Sequence, residues 1–266
     1  MNNIKIVNGQ IVISDINDNI DISFCEEINL LSVKKLKLDI LNDTNLQIIF
    51  EGEEEIKFNI LINVLENVKA NIYILKKDLS GKIKYEYNLS DNSSLYINKF
   101  YDINTIKEVD IVNLNGVLSN IDYDLHTISK NKEYYDLIVN HNNKLSKSNI
   151  NNKAVNILDG KLTFNVTGVV LNNIIDCTIN QNNHIITMND NKCQINPNLL
   201  INENDVTANH SAYIGGFDPQ KLFYLKSRGI TENEAYKLLI RGFLLNQNQT
   251  EENFKLINDI IDKYWR

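Results

Sequence analysis

Short runs in which apolar and polar residues alternate fill most of this chain. They begin at residues 4–13 and recur up to residues 174–179, and the segment Lys-Ile-Lys-Tyr-Glu-Tyr at residues 82–87 is typical. Successive side chains of a β-strand point to opposite faces, so each run predicts a strand with one buried face and one face in water. Only two prolines and ten glycines occur in 266 residues, which provides little of the turn chemistry that tight hairpins use. We therefore expect a mainly β protein whose strands are joined by other connections.

Many similar strands without helices between them are compatible with a β-solenoid, in which each coil stacks on the next. A β-sandwich explains the same pattern, and the strict sequence period that a regular solenoid often shows is missing. Asparagine side chains in such coils can form hydrogen-bonded ladders, but we expect most of them to be solvated turn residues. The residues alone leave the choice between solenoid and sandwich open.

The alternation changes from a period of two to a period of three to four at Asp218, and this change predicts a helical C-terminal region. Gly215 and Gly216 stand just before the change and mark a boundary. We therefore expect a β core at residues 1–215 and a helical domain at residues 216–266.

Three helices are expected in this C-terminal region, over residues 219–228, 231–245 and 250–264. Asp218 is suited to cap the first helix, and Gly229 follows where a left-handed residue commonly ends one. Residues 231–234 read Thr-Glu-Asn-Glu, the form of a capping box at the start of the second helix. The third helix carries an apolar stripe of Phe254, Ile257, Ile261 and Trp265. Such stripes are usually core, so we expect packing mainly within the chain, with a partner-binding surface as the alternative.

Composition and missing motifs exclude several classes of function. The chain has 43% hydrophobic residues, and 34 acidic against 27 basic residues leave a net charge of −7. An acidic surface repels phosphate backbones and anionic lipids, so we expect no nucleic-acid or membrane partner. No GxxxxGK[ST], GxGxxG, GxSxG or HExxH motif occurs. We therefore expect no nucleotide bound by this chain and no hydrolase chemistry.

Three cysteines, Cys25, Cys177 and Cys193, form neither an even-numbered framework nor a CxxC pair. A reducing compartment fits this usage, and the first residues lack the continuous apolar region of a signal peptide. We expect a cytoplasmic protein. Free cysteines are commonly buried and inert, so Cys177 and Cys193 are ordinary thiols on this basis.

Among the four histidines, His210 lies just before the change from strand to helix. A neutral imidazole suits iron or zinc, and a thiolate such as that of Cys193 is soft enough to hold iron or persulfide sulfur. His210 is therefore the candidate metal ligand, and Cys193 is a weaker one.

The stretch from residue 204 to residue 243 resembles the C-terminal signature of the SufB/SufD family of iron–sulfur cluster assembly proteins. The matching residues are Asp205, Val206, His210, Ile214, Gly215, Asp218, residues 222–225, residues 227–230, Ala235, Gly242 and Phe243. The segment FYLKSRGITENEAYKLLIRGF at residues 223–243 is the most specific part. A looser resemblance extends upstream through residues 177–182 and Pro197. The first hundred residues resemble the family only in their alternation of apolar and polar residues.

This resemblance implies a right-handed parallel β-helix core with a small C-terminal α-helical domain. Proteins of the family pair with a related subunit and dock on a SufC-type ATPase through the helical domain. Their scaffold receives persulfide sulfur and iron, and it builds a transient iron–sulfur cluster at the interface of the paired subunits. The resemblance therefore implies a scaffold and not an enzyme.

The residues around His210 indicate which paralogue this chain resembles. SufB-type proteins carry Glu-His-Glu there and SufD-type proteins commonly carry Cys-Ser-His-Gly, whereas residues 208–211 read Ala-Asn-His-Ser. His210 falls at the position of the SufD interface histidine, although Ala208 departs from the SufD cysteine. Cys193 lies before Pro197, broadly where SufB places its essential cysteine, but two residues closer to the proline.

We therefore expect a shortened SufD-like subunit that pairs with a SufB-type subunit or with a second copy of itself, with His210 at the paired interface. The residues expected at the ATPase interface are Phe223, Tyr224, Leu225, Arg228, Leu239, Arg241 and Phe243. One alternative is a structural brace of the same ATPase complex that holds no iron. Another is a carbohydrate-binding β-solenoid, which is disfavoured because an aromatic-lined repeat and a paired acid site are both missing.

Overall fold

The computed structural model describes residues 1–27, 33–158, 160–188, 192–245 and 251–264. Within these residues the strands are β1 (Asn2–Val7), β2 (Gln10–Asp15), β3 (Ile20–Glu27), β4 (Val33–Ile40), β5 (Thr44–Glu51), β6 (Glu55–Val64), β7 (Lys69–Lys77), β8 (Ser80–Leu89), β9 (Ser94–Asp102), β10 (Thr105–Leu114), β11 (Asn120–Ser129), β12 (Lys132–His141), β13 (Lys147–Asn156), β14 (Lys161–Val170), β15 (Cys177–Thr187), β16 (Cys193–Ile201) and β17 (Val206–Gly215). The helices are α1 (Pro219–Ser227), α2 (Glu232–Leu244) and α3 (Glu251–Tyr264). In the part of the chain so described, no helix is long and apolar enough to cross a lipid bilayer.

Successive strands alternate between two sheets. Sheet A has the order β17-β15-β13-β11-β9-β7-β5-β1-β2, and sheet B has the order β16-β14-β12-β10-β8-β6-β4-β3. From β4 onward each strand pairs in parallel with the strand two places along the chain, whereas β1–β2 and β3–β4 are antiparallel. The protein is therefore a parallel β-solenoid of about seven turns, as expected. The sandwich alternative is wrong, because from β4 onward paired strands run in the same direction and successive strands alternate between the two sheets.

Each turn of the solenoid buries the same positions as the turn before it. In sheet A, Leu46, Ile72, Ile97, Tyr123 and Ile150 lie opposite one another on successive strands, and all are buried. Burying one such aliphatic side chain stabilises the fold by roughly 1.5–3 kcal/mol relative to exposing it. Stacked columns of this kind hold the turns together, so the chain needs few hairpins.

The corners between the sheets explain why so few glycines suffice. Asn67, Asn92, Leu118, Leu145 and Asp176 lead into successive strands of sheet A, and each has a positive φ between 52° and 62°. The backbone N–H of each donates to a carbonyl at the corner of the next turn, at 2.8–3.4 Å. Asparagine and aspartate tolerate this left-handed conformation, and the hydrogen bond to the next turn helps to hold leucine in it.

Asparagine ladders run along the outer faces of both sheets. In sheet B the side-chain amides of Asn88, Asn113 and Asn140 each donate to the asparagine one turn earlier at 2.9 Å, beginning at Asn63. In sheet A a second ladder starts at Asp122 and continues through Asn149, Asn180 and Asn209, at distances of 2.7–3.3 Å. Our expectation that most asparagines are solvated turn residues was therefore wrong for these positions, since in-register stacking brings identical amides into hydrogen-bonding distance.

The predicted helix caps are confirmed. Asp218 accepts from the backbone N–H of Gln220 at 2.9 Å, and Gly229 has a φ of +84° just after α1. Thr231 and Glu234 form the reciprocal capping box at the start of α2. Each pairing satisfies backbone groups that the helix itself leaves free.

Helices α2 and α3 pack on the outer face of sheet A, which confirms packing within the chain for these two. The buried cluster that they share with the solenoid contains Ile240, Leu244, Ile260, Ile261, Leu75, Phe100, Ile128, Val155, Ile157 and Ile186. Phe254, which we placed on the packed side of the third helix, is 50% exposed. The side chain of Ile257 and residue Trp265 lie outside the described part.

Polar contacts from the solenoid hold the ends of both helices. The Lys153 Nζ donates to the carbonyl of Phe243 near the end of α2 at 3.1 Å. At the end of α3, the Tyr264 hydroxyl donates to Asp102 Oδ1 at 2.9 Å, and Lys130 donates to the same oxygen at 2.8 Å. A cation at a helix C-terminus and a buried carboxylate with two donors both fix the orientation of α2 and α3 against the sheet.

Candidate functional site

Both sheets end at the same place, which we call the open end of the solenoid. It consists of β16 in sheet B and β17 in sheet A, and each has one edge without a strand partner among the described residues. The inward side chains of these two strands are half-buried or exposed, whereas those one turn earlier are buried. Free backbone groups on an edge strand, beside an uncovered interior, form a surface that another strand can extend.

His210 lies in the middle of β17 at this open end. It is opposite Gln181, which follows Ile150 and Tyr123 in one interior column. Gln181 is buried, but His210 is exposed because the described chain has no further turn above it. The register of His210 therefore places it in line with interior residues, but its side chain is exposed because it lies in the last described turn.

Cys193 begins β16 on the opposite sheet and points inward in the column of Leu162 and Glu133. The side-chain amide of Asn156 donates to its Sγ at 2.9 Å, and partial burial raises the pKa of the thiol. Within the described residues, no three His, Cys, Asp or Glu side chains are grouped as a metal site. His210 and Cys193 therefore lie on the two different sheets of the open end, and neither belongs to a three-donor group among the described residues.

Cys177 is buried in the packing at a corner of the solenoid. Ser93, Ser119 and Ser146 occupy the same place on the three preceding turns, and each hydroxyl donates to the carbonyl three residues earlier. The Cys177 Sγ lies 3.3 Å from the Ser146 hydroxyl, which also hydrogen-bonds His141 at 2.8 Å. Burial lowers the pKa of His141 to about 4, so this imidazole is neutral and serves the corner packing.

Four charged side chains form a cluster inside the solenoid that the sequence analysis did not predict. Lys76, Lys99, Glu108 and Asp110 are all buried. The Lys99 Nζ donates to Glu108 Oε1 at 2.8 Å and also to Asp110, and the Lys76 Nζ donates to Glu108. The sequence of β10 does contain a sign of the two acidic residues. Glu108 and Asp110 occupy the same alternating positions as the inward-pointing Ile106.

Burial has opposite effects on the pKa values of this cluster. It raises the pKa of Asp110 to about 6, although the nearby Lys99 opposes the shift, and it lowers the pKa of Lys76 to about 8. One turn further on, burial raises the pKa of Glu133 to about 7 despite hydrogen bonds from Tyr135 and Thr127. The interior therefore holds groups that titrate near neutral pH.

The helical region presents an exposed apolar face on α1. No residue of α1 is buried, and Phe223 and Tyr224 are 74% and 57% exposed. Arg228 is exposed and lies over the Tyr224 ring at 5.2 Å, whereas Leu225 is half-buried. Exposed aromatic side chains grouped on one helix are typical of protein-binding surfaces.

The other three residues expected at the ATPase interface have different surroundings. Leu239 on α2 is half-buried beside α1. Arg241 donates to Asn258 and Asp262 on α3, at 2.7 and 2.9 Å. Phe243 packs edge-to-face on His184 of the solenoid, with ring centroids 4.8 Å apart. Arg241 and Phe243 thus have partners inside this chain.

Comparisons with known proteins point to one family. The SUF system FeS cluster assembly, SufBD core domain, matches residues 89–243, which is more than half of the chain. The iron-sulfur cluster assembly protein SufD of Bacillus subtilis (strain 168) is 59% identical over 49 residues, 18% of this chain and 11% of that protein. SufBD family iron-sulfur cluster assembly proteins of Mycobacterium leprae (strain TN) and Mycobacterium tuberculosis (strain ATCC 25618 / H37Rv) are 40% identical over 67 residues and 48% identical over 48 residues.

These last two alignments cover 25% and 18% of this chain, and 17% and 12% of the mycobacterial proteins. Each aligned stretch therefore spans only a small part of its relative. The core-domain match is longer, since it runs from the end of β8 through the open end and into α2. On the strength of that match, the chain belongs to the SufBD family of iron–sulfur cluster assembly proteins.

Proposed function

We propose that this chain is a SufD-like scaffold subunit of the SUF system, which pairs through its open end and docks a SufC-type ATPase through α1. The observation that carries the proposal is the open end itself, where no described residue pairs with the outer edges of β16 and β17 or covers the interior beside them. A second solenoid, either a SufB-type subunit or another copy of this chain, would cover that interior and pair with the edge strands. The chain would act as a scaffold, with the nucleotide bound by the ATPase.

In this arrangement His210 would face the paired subunit. A neutral imidazole is a suitable ligand for iron, and His210 is exposed on the inward side of β17. One imidazole is a single donor, so the remaining ligands of a cluster in transit would come from the paired chain. The cluster is then cargo held between subunits, and Cys193 on β16 is a second candidate donor at the same end.

We expect His210→Ala to lower the yield of iron–sulfur cluster in the reconstituted complex while leaving the fold intact. The side chain is exposed, so its removal should change the free energy of unfolding by no more than about 0.5 kcal/mol. Cluster yield is measured by absorbance after anaerobic reconstitution, and stability by urea denaturation.

The matched control is Ser211→Ala, the next residue on the same strand, whose side chain lies on the other face. A yield with His210→Ala equal to that with Ser211→Ala would contradict the ligand role. It would favour the alternative in which the chain is a brace that holds no iron.

We expect the double variant Phe223→Asp and Tyr224→Asp to stop co-purification with the ATPase. Both rings are exposed on α1, so charges there should disrupt an apolar interface without unfolding the chain. Leu65→Asp is the matched control, because Leu65 is an exposed apolar residue at a solenoid corner between β6 and β7. Retention of the ATPase by the double variant would remove α1 from the docking site.

A further inference from the structure

A hollow of about 530 Å³ lies on the outer face of sheet B, where its strands begin. Its lining includes Lys82, Lys107 and Lys132, which come from three successive turns, together with Tyr134. The Lys107 Nζ lies 5.5 Å from the centroid of the Tyr134 ring, and the Tyr134 hydroxyl accepts from the side-chain amide of Asn165 at 2.6 Å. Three lysines thus lie beside one fixed aromatic ring, and we call this surface the lysine hollow.

The register of sheet B places lysines directly opposite one another at the lysine hollow. Lys57, Lys82 and Lys107 form one such column on β6, β8 and β10. Lys132 lies opposite Lys161 on β12 and β14. Like charges at opposite positions of strands about 4.8 Å apart destabilise a sheet. None of these five lysines forms an ion pair with a described residue, so nothing in this part of the chain offsets their repulsion.

Other exposed lysines of sheet B have acidic partners on their own strands. Lys37 lies 2.6 Å from Asp39 on β4, and Lys84 lies 3.7 Å from Glu86 on β8. Lys84 is only two residues from Lys82, so the same strand carries one paired and one unpaired lysine. The unpaired lysines are therefore specific to the start of the strands.

The carboxylates near the lysine hollow do not neutralise it. Glu55 lines its β6 side as the last residue of the acidic run at residues 53–55, and three lysines against one glutamate leave the lining with a net charge of +2. Asp136 lies further along β12, and Asp78, at the corner before β8, faces a lysine of α3 at 3.8 Å. Asp159 lies outside the described residues. The positive charge is therefore concentrated on β8, β10 and β12.

The extent of this positive surface favours a short anionic ligand. Lys82 and Lys161 are three strand spacings apart, about 14 Å, which about four residues of extended peptide can span. A nucleic acid or an anionic bilayer would extend onto residues 53–55 and onto a chain of net charge −7, which repels both. Single-stranded nucleic acid also stacks its bases on successive rings, whereas Tyr134 is the one aromatic residue in the described lining.

We propose that the lysine hollow binds a short acidic segment of a partner protein in extended form, with its carboxylates on Lys82, Lys107 and Lys132. Complementary charge across an interface speeds association and selects the partner. The inference goes beyond the proposed SUF function and does not depend on it, since neither the open end nor α1 contributes to the lining of the hollow.

The test measures binding of a fluorescein-labelled hexaglutamate peptide to the full chain by fluorescence anisotropy at low salt, where exposed charges are least screened. The double variant Lys82→Glu and Lys132→Glu should lower the affinity at least about tenfold, because it reverses two of the three lysines that line the hollow. The same variant should raise the Tm by about 2–4 °C, because each new glutamate lies opposite a lysine of a neighbouring strand. Lysines kept only for the fold would not give a more stable protein that binds less well.

The matched control is the double variant Lys144→Glu and Lys147→Glu, which makes the same change in net charge at exposed positions beside and in β13 of sheet A. Lys147 lies opposite Asn120 and Thr178, so no lysine pair is relieved there. This control should bind the peptide with the affinity of the unaltered chain and should keep its Tm.

Absence of peptide binding by the unaltered chain, or an equal loss of affinity in the two double variants, would overturn the inference. Tighter binding of an oligothymidylate or of phosphatidylserine vesicles than of the peptide would also overturn it, because the ligand would then be a nucleic acid or a membrane. These results leave the pairing and ATPase-docking proposals standing, since those are measured with other partners at other surfaces.

Discussion

Lys99→Met should lower the free energy of unfolding by about 3–5 kcal/mol, because it leaves a buried charge without its partner. Lys99 is fully buried inside the solenoid and donates to both Glu108 and Asp110. Lys76 also donates to Glu108, so two lysines and two carboxylates balance one another. Removing one lysine leaves two carboxylates facing a single cation where water cannot solvate them. Urea denaturation at pH 7 measures the loss.

Lys84→Met is the matched control for this prediction. Lys84 lies on the outer face of β8, where its side chain is 46% exposed and 3.7 Å from Glu86. An exposed ion pair of this kind contributes about 0–1 kcal/mol, so we expect only a small change. Equal losses for Lys99→Met and Lys84→Met would mean that water reaches the interior cluster.

Glu133→Gln should make the protein more stable at pH 8 than the unaltered chain, by about 3 kcal/mol, and should have little effect at pH 5. Burial raises the pKa of Glu133 from 4.5 to about 7, so the folded protein holds a proton that the unfolded chain releases. Stability is therefore lost as the pH rises from about 4.5 through 7. Glutamine resembles the protonated acid and does not titrate, so the variant keeps the stability that the carboxylate loses.

The measurement is urea denaturation of both proteins at pH 5 and pH 8. Glu86→Gln is the control, because Glu86 is 39% exposed on the outer face of β8, so its substitution removes no buried carboxyl group. A stability difference between Glu133→Gln and the unaltered chain that does not grow with pH would contradict a protonated Glu133 in the folded state. Other buried groups titrate in both proteins, so their contributions cancel in the comparison.

Local sequence patterns were sufficient to predict the strands, the helix ends and the family. Alternation predicted the strands because side chains of a strand reverse direction at every residue, and that geometry requires no neighbour. Asp218, the capping box at Thr231 and Gly229 predicted the helix ends because caps are satisfied within a few residues. The segment at residues 223–243 predicted the family, and the core-domain match confirms it.

The surroundings of the buried charged residues and of His210 depend on contacts between residues that are far apart in the sequence. A reading of β10 as an alternating strand implies two inward carboxylates, but only the solenoid places Lys76 and Lys99 from other turns beside them. Likewise, His210 was singled out by its place in the sequence, whereas its exposure results from being in the last described turn of an interior column. A cavity lined by His184, Tyr213 and Gly242 likewise exists only because α2 packs across sheet A.

The sequence by itself therefore determined which segments are strands and helices, where the helices begin and end, and to which family the chain belongs. Tertiary structure decided that the strands stack in parallel as a solenoid, since alternation is identical in a sandwich and cannot specify the partner of a strand. It also decided which polar residues are buried and at which end the described strands leave the interior uncovered. Those properties depend on register between turns about 25–31 residues apart, as the asparagine ladders illustrate, and no local pattern encodes that register.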